Sequence, residues 1–421
     1  MKRRDFLKKS TAATLGAAAP FIIPTEVFGS QNRPGANDRI AVGFVGIGGR
    51  ARWIMKYDEM PDAQVVAVAD IYKKRFSDLA KEIRPSKNWN KYDDYHEMFD
   101  KEKLDAVFVE TPTHARVLIL IQAMQAGLDV YGEKPLTLTI AEGRTLVNTA
   151  RKLKRILQTG TQQRSMPINR YASKLVHSGA IGKIHTVKVC NFEGPKTWVP
   201  KPGQPIPKGL NWDQWCNQTE LRPYHEDLHV RWNWWRDYDG GGRSWGVTGW
   251  GTHSLDQVQC GLGTDTTGPV EIWPEGKGET ADVTMRYASG TLLKMDGKRR
   301  QHQDLGGIFL GEEGKIEILR GNFLSDKKEL FKDAPPPTPE GAHECEPHLK
   351  NFFDCIRSRK LPNADVEIGH RSTTVCYLVN ICRDLGRKLK WDPDKEQFIG
   401  DDEANKMLSR PRRAGFELPI V

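Results

Sequence analysis

The chain has 421 residues, 63 Lys+Arg against 54 Asp+Glu, and 38% hydrophobic residues with twelve Trp, ten Tyr and fifteen Phe. This composition excludes a disordered protein, and the length allows two or three domains with sizeable cores. The formal charge of +9 falls to about +6 once residues 1–29 are set aside, and its even spread argues against a nucleic-acid partner.

Past the N-terminus no apolar run reaches about 18 residues, the length of a membrane span. The seven cysteines are odd in number and include no CxxC pair, which argues against a disulfide framework and for buried thiols.

The chain begins Lys2-Arg3-Arg4-Asp5-Phe6-Leu7-Lys8-Lys9, followed by a weakly apolar stretch reaching Ile23. Paired arginines before Phe-Leu-Lys look like a twin-arginine export signal, which implies a periplasmic or exported protein. The alternative, a basic start to the first helix, would be broken early by Pro20 and Pro24. Ala17-Ala18-Ala19 and Gly29 both offer a cleavage site. The twin-arginine route commonly carries folded proteins loaded with cofactor, so the segment points to a tightly held one.

From Arg39 the pattern alternates short apolar runs with helical segments. The run 40–45 leads directly into Gly46-Ile47-Gly48-Gly49-Arg50-Ala51, a G-x-G-x-x-A placed between a strand and a helix. Gly46 permits the tight turn, Gly48 lets the backbone approach a pyrophosphate, and Ala51 allows close helix–strand packing. A second strand over 64–69 ends at Asp70, 24 residues after Gly46. A carboxylate there accepts hydrogen bonds from ribose hydroxyls and repels a 2′-phosphate, favouring NAD. Lys73, Lys74 and Arg75 keep NADP open, and a helix N-cap is the alternative role for Asp70.

Strands over 106–110, 128–131 and 155–158 alternate with helices over 114–126 and 141–153. This rhythm predicts an α/β fold whose doubly wound parallel sheet, the Rossmann domain 38–159, binds its ligand at the carboxyl ends of the strands. Thr111-Pro112-Thr113-His114 and Glu133-Lys134-Pro135 lie at those ends.

The glycine motif, Thr-Pro-x-His and Glu-Lys-Pro together resemble the Gfo/Idh/MocA oxidoreductases, which include glucose–fructose oxidoreductase and inositol dehydrogenase. The resemblance continues through Gly179-Ala180-Ile181-Gly182-Lys183-Ile184, Gly240-Gly241-Gly242 with His253-x-x-Asp256, Gly369-His370-Arg371-Ser372 and Trp391-Asp392-Pro393. It implies NAD(P) bound by Gly46, Ile47, Gly48, Gly49, Arg50, Asp70, Thr111, Pro112, His114, Glu133 and Lys134. It also implies a homo-oligomer.

After Gly160 alternating polar and apolar residues over 184–191, 281–287, 291–296 and 315–319 read as half-buried antiparallel strands, with a hairpin turn at 288–290. Helical spacing occupies 347–357 and 371–385, and 335–339 reads as an exposed proline-rich loop. The resemblance makes residues 160–400 a C-terminal α+β domain with an open, mostly antiparallel sheet, followed by a tail over 401–421.

An insertion over 194–251 holds eight of the twelve tryptophans. Flat aromatic faces stack on sugar C–H faces, so Tyr224, Trp234 and Trp235 are candidate substrate contacts, the other tryptophans packing the insertion itself. Arg164, after the last Rossmann strand, matches a family position near the substrate; its alternative is an interdomain salt bridge.

Oxidising a secondary alcohol needs a group to take the hydroxyl proton while hydride leaves carbon. By resemblance Lys134 polarises that oxygen and His253 shuttles the proton, imidazole being suited to neutral pH. The family's D-x-x-x-H has lost its aspartate: Gly249 stands there. Asp256, one helical turn past His253, is a candidate to orient the imidazole, with capping or ion pairing as its alternative, and a carboxylate of the insertion is another source. The segment 343–348 fits no standard zinc spacing, so no metal is expected.

These features point to an NAD(P)-dependent oxidoreductase acting on a ring hydroxyl of a sugar, glycoside or polyol, with its cofactor recycled in place. The alternatives are an NAD-dependent glycosidase (oxidation, elimination, hydration, reduction) and a sugar-binding protein without turnover.

Overall fold

The computed structural model describes residues 34–57, 60–296, 305–339 and 345–420. It divides between Arg39 and Ile40 into two units. In the first only a 3-10 turn, Ala36–Asp38, is described, and the twin-arginine segment lies outside the described residues. No described helix is long and apolar enough to cross a membrane.

Within the second unit, β1 (Ile40–Val45), β2 (Ala63–Ala69), β3 (Asn90–Tyr92), β4 (Ala106–Val109), β5 (Asp129–Gly132) and β6 (Leu157–Thr159) form a sheet in the order 3-2-1-4-5-6. Every pairing in it is parallel. Both faces are covered, which is why β4 and β5 are buried at every position. One face packs on helices Thr113–Gln125 and Ile140–Leu153. The other packs on Gly49–Tyr57 and, from far along the chain, on Glu346–Ser358. Phe352 of that late helix meets Phe108 and Tyr131 edge-on at 5.8 Å each. A segment assigned by sequence position to the C-terminal domain thus completes the nucleotide-binding core.

The C-terminal sheet has nine strands: β7 (Ile184–Val189), β8 (Pro269–Glu275), β9 (Asp282–Tyr287), β10 (Leu292–Met295), β11 (Gly307–Gly311), β12 (Gly314–Leu319), β13 (Asn322–Ser325), β14 (Leu389–Asp392) and β15 (Gln397–Phe398). Their order is 13-12-11-7-10-9-8-14-15. All pairs are antiparallel except β7 with β10. Alternating polarity reports which face of a strand is buried and not the direction of its neighbour, so this parallel pair was invisible in the pattern. The 288–290 turn forms as expected, with Gly290 at φ +89° and Tyr287 N donating to Thr291 O at 2.9 Å. β8 escaped sequence reading because Pro269 and Pro274 interrupt it.

One face of this sheet packs on Pro167–His177 and on two central helices, Gly251–Leu262 and Val366–Leu385, in a single core. The insertion has a core of its own, built from Trp198, Trp212, Trp215, Tyr224, Leu228 and Tyr238 among others. All seven cysteines are free thiols, six of them buried.

Candidate active site

The loop after β1 turns at Gly46, whose φ of +81° and 3.1 Å approach to Glu110 and Thr111 admit no side chain without strain. A Cβ at Gly48 or Gly49 would meet nothing within 4 Å, so the loop backbone faces open space. Both Asp70 oxygens hold this corner, accepting from Ile47 N and from Tyr72 N at 2.9 Å each. The loop opens onto a cavity of 350 Å3, within the range of small-molecule sites. Its walls include Gly46, Gly48, Gly49, Arg50, Asp70, Thr111 and Pro112 of the predicted cofactor set.

Two observations fit this cavity to a dinucleotide. The glycine cradle stands next to a carboxylate at the end of β2. Moreover, both Glu110 oxygens and Thr111 Oγ1 are buried without a partner, polar atoms that a bound ligand can satisfy. Burial and the neighbouring Glu133 push the Glu110 carboxyl far above the usual range, leaving it neutral and able to donate. Burial would raise Glu133 as well, but Arg50, Lys134 and Arg116 overturn that and keep it ionised.

Ile47 contributes only its backbone, its side chain being core. Glu133 lies behind the cleft, its Oε1 taking Arg50 Nε at 2.8 Å and its Oε2 taking Lys134 N at 3.1 Å. Of the basic residues that had kept NADP open, Lys73 pairs with Asp93 and Lys74 with Asp78 at 2.8 Å, while Arg75 lines the cleft. Changing Asp70 to Ser is expected to weaken NAD binding roughly tenfold or more while improving the relative affinity for NADP. Titration by tryptophan fluorescence measures both, and an unchanged NAD/NADP ratio would remove Asp70 from cofactor selection.

Lys134 projects from the end of β5 toward helix Gly251–Leu262 and the turn before it. Its Nζ donates to Gly249 O at 3.1 Å and lies 5.5 Å over the Trp250 ring. Trp250 in turn stands 6.2 Å from the His253 ring. The missing aspartate has a steric reason: a Cβ at Gly249 would come within 2.5 Å of Trp245 Cβ. Residues Gly246–Trp250 form a π turn entered through Trp245 at φ +66°, and this turn aims the Gly249 carbonyl at the ammonium. Burial, reinforced by Arg50 and Arg320 and opposed by Glu133, lowers Lys134 to about 8. Asp239 of the insertion adds a buried carboxylate that attracts the same ammonium. It is anchored by Gly241 N at 3.1 Å and Thr248 Oγ1 at 3.0 Å, with Oδ1 unpartnered.

His253 is buried and its Nδ1 has no hydrogen-bond partner. Burial above all, then the charges of Lys134, Arg320 and Arg50, push it well below 6.5, so at neutral pH it is an uncharged acceptor. A cationic Lys134 and a neutral His253, each beside the Trp250 ring, can stabilise an alkoxide and take its proton.

Four expectations require correction. Asp256 does not orient His253, because its carboxylate takes Arg164 Nε with both oxygens at 2.9 Å and Ser372 Oγ at 2.7 Å. Arg164 is spent on the same pair and on Asp265 at 2.8 Å, so both residues are packed into the C-terminal core and not offered to substrate. His114 does not face the cofactor cleft; it is fully buried, with Nε2 2.7 Å from Trp215 O. Of the aromatic candidates, Tyr224 and Trp235 are engaged within the insertion. Tyr224 packs edge-on against Trp212, Trp235 donates to Asp227 O at 2.9 Å, and Trp234 lies between Arg231 and Arg243.

Conversely, Trp215, Trp232, Trp245 and His229 line the cofactor cavity, a role sequence reasoning missed. The tryptophan density of the insertion was the available signal; which rings face the cleft depends on the insertion's fold. His348, from the segment weighed for metal binding, is held by Ser165 Oγ at 2.7 Å and Thr159 O at 2.9 Å. Among the described residues no His/Cys/Asp/Glu group could hold a metal ion.

Two family models match: an oxidoreductase-family NAD-binding Rossmann fold over residues 40–161, and an oxidoreductase-family C-terminal alpha/beta domain over 166–418. The chain is 28% identical over 267 residues to a myo-inositol 2-dehydrogenase of Thermotoga maritima, covering 63% of this chain and 68% of that protein. It is 25% identical over 169 residues to a glycosyl hydrolase family 109 protein of Shewanella, covering 36% and 37%. Across curated inositol dehydrogenase relatives the matched segments span from 35% to 68% of their length. Among solved structures, the WlbA dehydrogenase of Bordetella pertussis, in complex with NADH and UDP-GlcNAcA, superposes with a TM-score of 0.60 at 17% identity, over 84% of this chain and 99% of that one. Likeness at that identity speaks to the fold, whereas the two family models span nearly all of residues 40–418, and the chain belongs to the Gfo/Idh/MocA family of NAD-binding oxidoreductases.

Proposed function

We propose that this protein oxidises a ring hydroxyl of a sugar, glycoside or polyol, with Lys134 and His253 as its catalytic residues. The observation that carries the reading is an ammonium lowered to about 8 and a buried, uncharged imidazole, each beside Trp250, joined through Glu133 to Arg50 of the glycine-loop cavity. Bound NAD supplies the hydride acceptor. Lys134 donates to the substrate oxygen and lowers the pKa of the hydroxyl. His253 accepts the hydroxyl proton at an imidazole nitrogen. Glu133, itself fixed by Arg50, holds the Lys134 backbone in place. The inositol dehydrogenase relative supports a polyol or sugar substrate. The reading extends to export through the twin-arginine route, on Arg3-Arg4 and the stretch that follows, and to self-association, on family resemblance.

A second reading, an NAD-dependent glycosidase, is favoured by the glycosyl hydrolase relative. In it the same two residues begin the turnover, and the ring hydroxyl is restored at the end. Assays with nitrophenyl glycosides and with free sugars separate the two. NADH accumulation with free sugars selects the dehydrogenase. Aglycone release without net NADH selects the glycosidase, and neither signal across a panel of pyranosides and inositols would reject both in favour of binding alone.

A further inference from the structure

We propose that the tryptophan-rich insertion is the outer wall of the adenosine half of the NAD site, latched shut by the C-terminal tail, so that the cofactor stays bound through many turnovers. The inference rests on NAD binding in the cleft after β1 and goes beyond it by assigning what retains the ligand.

The cavity is bounded on one side by the glycine loop, Asp70, Tyr72 and Arg75 of the Rossmann domain. On the other it is bounded by the insertion, through Leu210, Trp215, His229, Trp232 and Trp245. A Rossmann ligand places its pyrophosphate at the loop and its ribose at the carboxylate ending β2, so the space beyond Asp70 receives the adenine. The walls there set the rings of Tyr72, Trp215 and His229 beside the polar Asp93, Gln214 and Asn217. Trp215 stacks on Trp212 at 4.5 Å, and His229 is lowered to about 4 by burial and Arg75, which makes it an uncharged ring at neutral pH. Such a surface offers rings to stack on a neutral heteroaromatic base and polar groups to meet the hydroxyls of its ribose.

The insertion is docked, not draped. Lys73 N donates to Gly209 O and Asn211 N to Ile71 O, both at 2.9 Å, which extends the backbone beyond β2 by one antiparallel bridge. His114, at the start of helix Thr113–Gln125, holds Trp215 O through Nε2, and its own carbonyl accepts from Gln218 Nε2 at 2.6 Å.

The tail then ties the outside. Arg413 donates to Asp213 Oδ1 at 2.6 Å, to Asp213 O at 2.8 Å and to Asn217 O at 3.0 Å. Arg412 bonds Gln218 Oε1 at 2.8 Å and also Glu142 of helix Ile140–Leu153. Arg412 therefore bridges the insertion to the Rossmann domain, and Arg413 fixes the tail to the insertion, both through charge-assisted hydrogen bonds, the stronger kind. These contacts hold the segment that carries the cavity residues Gln214, Trp215 and Asn217, so loosening the tail is the proposed route to release.

The full chain, purified without added nucleotide and denatured, is expected to release about one NAD per chain, identified by mass. When isotopically labelled NAD is added in excess to the native protein, exchange is expected to take longer than about an hour. An Arg412→Ala/Arg413→Ala variant should exchange roughly tenfold faster or more, because lost interface contacts act mainly on dissociation. Asp213→Ala, which changes a half-exposed carboxylate, tests the same latch with less risk to folding. Wild-type exchange within the mixing time, or variants that exchange at the wild-type rate, would overturn the proposal. Failure to bind NAD even at saturation would instead overturn the dinucleotide site itself.

Discussion

Replacing Lys134 with methionine is expected to lower kcat/KM by roughly 10²–10⁴-fold, the usual cost of losing a positioned proton-transfer group. The same change should make the protein more stable. The folded chain holds this ammonium at about 8 against an ordinary 10.5, with burial as the main cause. Between those two values the unfolded chain binds more protons, so wild-type stability rises as pH climbs through that window. At pH 7 the fold carries nearly the full cost of the buried charge, about 3 kcal/mol for that displacement. Methionine removes that cost, and thermal unfolding at pH 7 should move up by roughly 2–5 °C. A group destabilising to the fold and necessary to the reaction is expected at an active site.

The pH profile tests the division of labour. If protonated Lys134 polarises the substrate, wild-type kcat/KM falls as pH rises through about 8. The His253 limb lies well below 6.5, since that ring is already neutral at physiological pH. Lys134→Arg should push the alkaline limb out of range. A rate that instead rises through 8 would make Lys134 the base and refute the role given to His253.

The second large effect concerns stability alone. Asp256→Ala is expected to cost about 3–5 kcal/mol, because it strands the Arg164 guanidinium in the core. Both side chains are almost fully buried, at 4% and 2% exposure for Arg164 and Asp256. Asp265, at 37% exposed, offers only partial compensation. Chemical denaturation measures the loss. In the fraction that remains folded, the substrate KM should match wild type. A tenfold rise in KM with unchanged stability would return Asp256 to the substrate site.

The contrast between Lys134 and Asp256 shows how far each kind of signal carries. Lys134 sits in Glu-Lys-Pro directly after a strand of a parallel sheet, and such a sheet presents strand ends to ligand whatever else the chain does. Gly46, Gly48 and Asp70 were legible for the same reason, since loop, strand and helix lie within one βαβ unit. His253 and Asp256 lie one turn apart on one helix and looked like partners. Their neighbours are drawn from distant segments: residue 164 and residue 372 for Asp256, the Gly249 turn and Lys134 for the site. Spacing along a helix cannot tell which face meets which partner.

The insertion shows the same limit more sharply. Its tryptophans suggested a sugar platform, since an aromatic ring suits a sugar face, an adenine and a core equally well. Trp212 and Tyr224 became core, Trp235 an internal hydrogen-bond donor, and Trp215 a wall of the cofactor cleft. Nothing in the local sequence separates these fates.

The sequence by itself determined the Rossmann half, the cofactor corner and the ammonium at the end of β5, because short-range chain geometry places them. Tertiary structure alone decided that helix Glu346–Ser358 completes the nucleotide-binding core, and that Gly249 serves through its carbonyl because Trp245 leaves no room for a side chain. It alone decided, too, that rings of the insertion line the cavity beside the glycine loop and that the tail binds the insertion. Those outcomes depend on packing between segments tens to hundreds of residues apart, where excluded volume and hydrogen-bond geometry, not residue type, select the contact.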